Sequence, residues 1–269
     1  ILKANVLLKI YLFFVIPIKY FLNLPHVKKK INLDNYSHDN KYLFGKSLNF
    51  LFEFFESDKG EKFVNQYNQP IKRNSNFKIQ GHNYAKFYDQ YFHEKKDKEL
   101  NILEIGSFYG NAAAALYFYF KNAKIYSADI FPDLFSYASD RVKNFYVDSS
   151  SEKSISQNIL KKEKNFEIII EDACHAYKDQ IISLFMLFPI LNSGGIFIIE
   201  ELDFPDTRAD MNLNNEKPTL RDILLSVKSG KNFENPLISK EQKDYFLNNF
   251  DKIIILKGNY NEIAIIKKK

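Results

Sequence analysis

The chain has 269 residues, 45% of them hydrophobic, enough for one large α/β domain with an accessory segment and too few for two domains of average size. A net charge of +5 with no block of five or more like charges gives no case for nucleic-acid binding, and the lysines at 28–30 and 267–269 read as solubilising ends or a contact for an acidic partner. The single cysteine, Cys174, excludes an intramolecular disulfide and suits a reducing, cytoplasmic compartment.

Residues 1–23 are strongly apolar, but the longest uncharged run, 10–18, contains Pro17 and is flanked by Lys9 and Lys19. A membrane span needs about 20 apolar residues, and no small-residue cleavage site follows. Two readings remain: a helix packed on the domain or on a second copy in a homo-oligomer, or an interfacial helix making peripheral membrane contact. The chain starts without Met. Leu43, Leu48, Leu51, Phe52 and Phe55 predict an amphipathic helix over 39–55, stopped by Ser57-Asp58-Lys59-Gly60. The polar stretch to about Gln80 reads as a long loop or lid. Gly81-His82-Asn83-Tyr84 then opens a helix carrying Tyr84, Phe87, Tyr88 and Tyr91.

From there strand and helix alternate. Strands are predicted near 101–105, 124–129, 143–147, 166–171 and 195–200, and helices near 110–121, 134–140, 152–162 and 177–191. Such alternation implies a parallel sheet with helices on both faces. The β-rich runs 252–256 and 262–266, joined by Lys257-Gly258-Asn259-Tyr260-Asn261, predict a closing hairpin with one antiparallel strand. The expectation is a Rossmann-like α/β fold with a mostly parallel seven-stranded sheet. Residues 1–95 would form a helical extension and lid, and 96–269 the cofactor-binding domain.

The junction Leu103-Glu104-Ile105-Gly106-Ser107-Phe108-Tyr109-Gly110 is a strand breaking into a glycine turn before a helix. It lacks the G-x-G-x-x-G spacing of a dinucleotide pyrophosphate site. A ligand with an adenosine and no phosphates fits better, and S-adenosylmethionine is such a ligand: Gly106 would allow close backbone approach, and the helix starting near Gly110 would face its carboxylate. Asp129 and Asp148 end the next two strands, where the ribose hydroxyls and the adenine edge would lie, at the sheet edge used by ligands in open α/β folds. Taken singly, either aspartate reads equally well as a helix cap.

The fourth and fifth strands deliver Glu171, Asp172 and His175, then Glu200 and Glu201, to that same edge. Convergent carboxylates repel unless a cation neutralises them. Oxygen-only ligands from Asp172, Glu200 and Glu201 would favour Mg²⁺, Ca²⁺ or Mn²⁺ over zinc, and such an ion lowers the pKa of a bound hydroxyl. His175 is the general-base candidate, against the reading of a helix-start histidine bonded to a backbone carbonyl. Solvated charges are the alternative for Glu200 and Glu201. Cys174 completes no Cys-His hydrolase signature and is not read as a nucleophile.

These residues carry a family resemblance. Asp58-Lys59-Gly60, His82 with Tyr84 and Tyr88, Leu103-Glu104-Ile105-Gly106, Glu171-Asp172-Ala173-Cys174-His175, and Gly194-Gly195 through Glu200-Glu201 resemble the motifs of the metal-dependent sugar O-methyltransferases of macrolide biosynthesis and of the cephalosporin-hydroxylase-like and rhamnosyl O-methyltransferase proteins. The resemblance implies a class I methyltransferase fold and transfer of a methyl group from S-adenosylmethionine to a hydroxyl of a sugar, in a glycoside or polysaccharide, assisted by a divalent metal, with Mg²⁺ foremost. It puts Asp172, Glu200 and Glu201 at the metal and His175, with Asp172, at the chemistry. The cofactor positions are Glu104, Gly106, Ser107, Gly110, Asp129, Ile130, Asp148, Ser149, Asp172 and Tyr84; His82, Tyr88 and Arg208 fall on the acceptor side. Three departures stand out: Ala173-Cys174 replaces Gly-Ser, Glu201 replaces Asp, and the loop from Gly60 to His82 is long. A non-catalytic binding relative and, more remotely, a nucleotide-dependent oxidoreductase are the alternative classes.

Overall fold

The computed structural model describes Phe13, Phe14, Ile18 and residues 30–63, 78–163 and 165–269. The rest of the apolar segment expected at 1–23, and 64–77 of the expected lid, lie outside the described residues. No described helix is long and apolar enough to cross a membrane.

Seven strands make the central sheet: β1 (Leu100–Ile105), β2 (Ala123–Asp129), β3 (Val142–Tyr146), β4 (Phe166–Glu171), β5 (Leu191–Ile199), β6 (Phe250–Lys257) and β7 (Glu262–Lys268). Their order is β3-β2-β1-β4-β5-β7-β6, with β7 antiparallel to both neighbours and the other pairs parallel. Strands buried on both faces are apolar at most positions, which is why Ile102-Leu103 and Ile168-Ile169-Ile170 form the centres of β1 and β4. Alternate residues still separate to opposite faces. Ile168, Ile170, Ile196 and Ile198 enter one core; Ile169, Phe197 and Ile199 enter the other.

The first core is covered by α1 (Leu33–Asp39), α2 (Leu48–Phe54), α3 (Ala85–Phe92) and α4 (Asn111–Tyr119), so the N-terminal elements share their apolar interior with the sheet. The second is covered by α6 (Tyr177–Leu187), α7 (Leu220–Lys228) and α8 (Lys240–Asn249). Between β3 and β4, α5 (Glu152–Ile155) runs into a π-helical turn over Ser156–Leu160. Capping boxes start α7 (Thr219 with Asp222) and α8 (Ser239 with Gln242), satisfying helix N–H groups that have no partner within the helix. Lys268, at the end of β7, is buried and donates to the carbonyls of Phe188, Pro189 and Leu191 and to the hydroxyl of Tyr245.

Three expectations change. The helix predicted over 39–55 is interrupted: Gly45 has φ +89°, a separate helix ends at Asp39 (Leu33–Asp39), and beyond it only Leu48–Phe54 of that stretch is α-helical. No helix forms over 134–140. Pro132–Leu134 is a 3₁₀ turn, after which the backbone extends at Phe135 and pairs Tyr137–Ala138 with Ile31–Asn32. Phe135 is drawn inward because Gly110 has no side chain where its ring packs, so a tertiary contact overrides the local aromatic spacing. The helix predicted over 177–191 ends at Leu187, and Phe188–Ile190, with Pro189 inside it, is a 3₁₀ turn leading into β5.

Candidate active site

Strand order reverses between β1 and β4, and a cavity of about 850 Å³ opens beyond their carboxyl ends. The backbone ladder continues past both strands: Asp172 N–H donates to Ile105 O (2.9 Å), and Glu200 N–H donates to Glu171 O (3.0 Å). Asp172 and Glu200 therefore sit one step beyond paired strand ends. Gly106, with φ +90°, is where the β1 turn crosses against the β4 turn; a β-carbon there would collide with the Asp172 carbonyl and stand 2.6 Å from Cα of Ala173. The glycine is required by this protein-to-protein contact, whatever occupies the cavity.

At the ends of β2 and β3, the Asp129 carboxylate accepts from the N–H groups of Phe108 and Phe131 (2.7 Å each), pinning two loops rather than capping a helix. Asp148 accepts from the N–H and hydroxyl of Ser150, and the Ser149 hydroxyl donates to Asp179. Cys174, although exposed at the cavity wall, donates to Asp179, and desolvation with this bond pushes its thiol up to about 12, which disfavours the thiolate.

The acidic end is built around two histidines and one lysine. Glu201 lies between His82 Nε2 (3.1 Å to Oε1) and His175 Nε2 (3.6 Å to Oε2), and His175 Nε2 is 3.7 Å from Asp172 Oδ1. One potential ligand atom from each of Asp172, His175 and Glu201 falls within 4.8 Å of the others. Both His175 (φ +60°) and Glu201 (φ +44°) adopt the left-handed backbone that costs side-chain-bearing residues of order 1–3 kcal/mol. Gln180 Nε2 supports the second of these turns by donating to Glu201 O (3.0 Å). Lys59 reaches the site from the turn after α2: its Nζ pairs with Asp172 and lies 2.9 Å from Glu200 and 3.9 Å from Glu104. Tyr88 donates to Glu200.

His82 is held from behind. The Asn259 N–H donates to His82 O (2.9 Å), its side-chain amide donates to Gly81 O (2.7 Å), and the Tyr260 ring stands edge-on to the imidazole at 5.9 Å.

Of the residues read from sequence, Glu104, Gly106, Ser107, Asp129, Ile130, Asp148, Ser149, Asp172, His175, Glu201, His82 and Arg208 line the one cavity. Gly110, Tyr84, Tyr88 and Glu200 do not. Gly110 is covered by Phe135, Tyr84 stacks behind His82, and Glu200 turns inward to Lys59 and Tyr88. Sequence reading gave no role to Lys59, although it named the turn that carries it, nor to Phe204, whose ring stands edge-on to His175 at 5.3 Å.

Burial dominates the ionisation of the site. It pushes Glu104 up to about 7, against the pull of Lys59, and Glu171 up to about 8, with Asp179 adding to the rise. Asp172, Glu200 and Glu201 are all raised by burial, Asp172 against the opposing pull of Lys59 and the other two with added repulsion from Asp172. His175 is driven down to about 3, by burial first and then by the Lys59 charge, so its imidazole is neutral near pH 7. Carboxyls with raised folded values keep protons that the unfolded chain, at its ordinary 4.5, has released. Their stabilising contribution is complete below about pH 4.5 and is lost as pH rises through 7 to 8. His175 acts in the opposite sense, but only below its ordinary 6.5. The protein held in EDTA should therefore melt at progressively lower temperature from about pH 6.5 to 8, read by calorimetry; a flat Tm across that window would contradict these buried acids.

In fold, the chain is similar to the mycinamycin-pathway methyltransferase MycE in complex with Mg and SAH, with a TM-score of 0.61 at 17% identity over 83% of this chain and 55% of MycE. The chain has the class I methyltransferase fold. In sequence, it is 28% identical over 128 residues to the 8-demethyl-8-alpha-L-rhamnosyl tetracenomycin-C 2'-O-methyltransferase of Streptomyces olivaceus, covering 45% of this chain and 33% of that protein. It is 26% identical over 128 residues to the demethylmacrocin O-methyltransferase of Streptomyces fradiae, covering 45% and 32%. The matched stretch thus spans about a third of the length of these curated relatives. No protein-family profile matches the methyltransferase-fold chain.

The residues fit a divalent ion. Buried carboxylates outnumber the single ammonium among them, and Glu201 Oε2 is buried without a hydrogen-bond partner beside Asp172 and His175.

Proposed function

We propose that the chain is an S-adenosylmethionine-dependent O-methyltransferase, divalent-metal-assisted, that methylates a hydroxyl of a sugar in a glycoside or polysaccharide. The observation that supports this most is the sharing of one cavity by the Gly106 turn, Asp129 and Asp148 on one side and the Asp172, His175 and Glu201 cluster on the other. The kinship with O-methyltransferases acting on glycosylated natural products favours the sugar acceptor.

In this reading Asp129 and Asp148 hold the nucleoside part of the methyl donor and the Gly106–Ser107 turn admits its amino-acid end. Asp172 and Glu201 would hold the ion, which would supply the positive charge that makes a bound hydroxyl more acidic. His175 takes the hydroxyl proton at Nε2, which lies 3.7 Å from Asp172 and 3.6 Å from Glu201. The acceptor oxygen forms the new C–O bond as the donor's S–CH₃ bond breaks. Holding both reactants in one enclosed site accounts for most of the acceleration, since alignment alone supplies about 7–11 kcal/mol in well-oriented systems. His82, Phe204 and Arg208 line the acceptor side.

Calorimetric titration of S-adenosylmethionine and S-adenosylhomocysteine, with and without Mg²⁺, tests the reading. Micromolar binding is expected for both. No binding in either condition would reject it.

A further inference from the structure

We propose that Lys59 is a built-in counter-cation that keeps the acidic end of the site folded when no divalent ion is present. The metal half of this inference rests on the proposed function; the electrostatic half does not.

Lys59 is only 1% exposed, yet it sits in a turn, where a lysine ordinarily extends into water. It is buried because the turn is clamped to the start of α3. Tyr84 and Ala85 N–H donate to Lys59 O, His82 N–H to Asp58 O, and Asn83 N–H to Gly60 O. Gly81 completes the clamp, since a β-carbon there would run into the carbonyls of Gly60 and Asp58. The ammonium is thus delivered to a point where three chain segments converge. It meets Glu104 from β1, Asp172 after β4 and Glu200 after β5.

Glu104 and Glu200 are buried and Asp172 is partly exposed at the cavity, and removing the one ammonium among them leaves uncompensated acidic groups. The pairing also divides the acids. Glu200 faces Lys59 and Tyr88 and stays out of the cavity wall, while Asp172 and Glu201 line the cavity. Lys59 is therefore a positioning residue: it holds Glu200 and one oxygen of Asp172, Oδ2, and leaves Asp172 Oδ1 and Glu201 facing a ligand.

The test uses the full chain and thermal unfolding. Lys59→Met keeps the aliphatic bulk and removes the charge. In EDTA its Tm should fall by about 10 °C. The double variant K59M/E200Q should regain part of that loss in EDTA, since the most deeply buried of the three acids that faced the ammonium is then neutral. Mg²⁺ or Mn²⁺ should raise the Tm of Lys59→Met by several degrees more than that of the unaltered protein. An unchanged Tm for Lys59→Met in EDTA, or a double variant no more stable than the single one, would overturn the proposal. If Lys59→Met does not fold, folding of the double variant in EDTA supports the proposal and its failure to fold overturns it. Recovery by E200Q with no added response to either ion would uphold the counter-cation and reject the metal reading alone.

Discussion

Replacing Asp172 with asparagine should lower the proposed methyl transfer about a thousandfold, the loss that accompanies removal of roughly 4 kcal/mol of transition-state stabilisation. The substitution keeps the shape of the side chain and its place after β4, but removes the charge that faces His175 and Glu201 across the cavity. It also removes the main partner of Lys59, so unfolding must be followed alongside turnover. Affinity for S-adenosylmethionine should stay within about threefold, because Asp129 and Asp148 are untouched, whereas Mn²⁺ affinity, read by electron paramagnetic resonance, should drop more than tenfold. Normal turnover with unchanged Mn²⁺ binding would remove Asp172 from the proposed chemistry.

Gly106→Ala should be at least as damaging, by a different route. The new methyl group would meet the backbone of Asp172 and Ala173, and backbone cannot rotate aside as a flexible side chain can. The φ of +90° adds its own penalty for any residue with a β-carbon. A loss of more than about 4 kcal/mol is expected, a size seen only when a special backbone position or the core is violated. Urea unfolding would measure it. Gly194→Ala is the matched comparison: Gly194 also has positive φ (+71°), but nothing lies within 4 Å of a β-carbon there. Equal losses at the two positions would show that dihedral preference, and not the crossing of the β1 and β4 turns, makes Gly106 necessary.

The sheet was readable because buried parallel strands leave an unambiguous trace. Leu100–Ile105 and Phe166–Glu171 are mainly apolar and carry Glu104 and Glu171 at or next to their carboxyl ends, and the order of those acids along the chain already suggested a common edge. The connection after β2 was not readable. Phe131, Leu134, Phe135 and Ala138 have spacing compatible with a helix, and only the room left by Gly110 explains why Phe135 is pulled out of it. Tyr84 and Tyr88 lie four residues apart at the start of α3, and local pattern could not separate a residue stacked on His82 from one bonded to Glu200, or tell that neither reaches the cavity. Lys59 was legible as a turn residue only. Its partner Asp172 lies 113 residues onward, and burial of a lysine cannot be inferred until the acids that surround it are placed.

The hairpin between β6 and β7 is the last feature of the sheet, yet its turn carries the amides that seat His82. Sheet pairing alone would accept almost any hairpin of matching length. This one must also present a backbone N–H and a carboxamide at position 259, to a strand of chain 178 residues earlier in sequence. A hairpin transplanted from another protein of the same architecture could restore every β7 pairing with β5 and still leave the His82 imidazole without its seat, so the modules of this fold are not freely interchangeable.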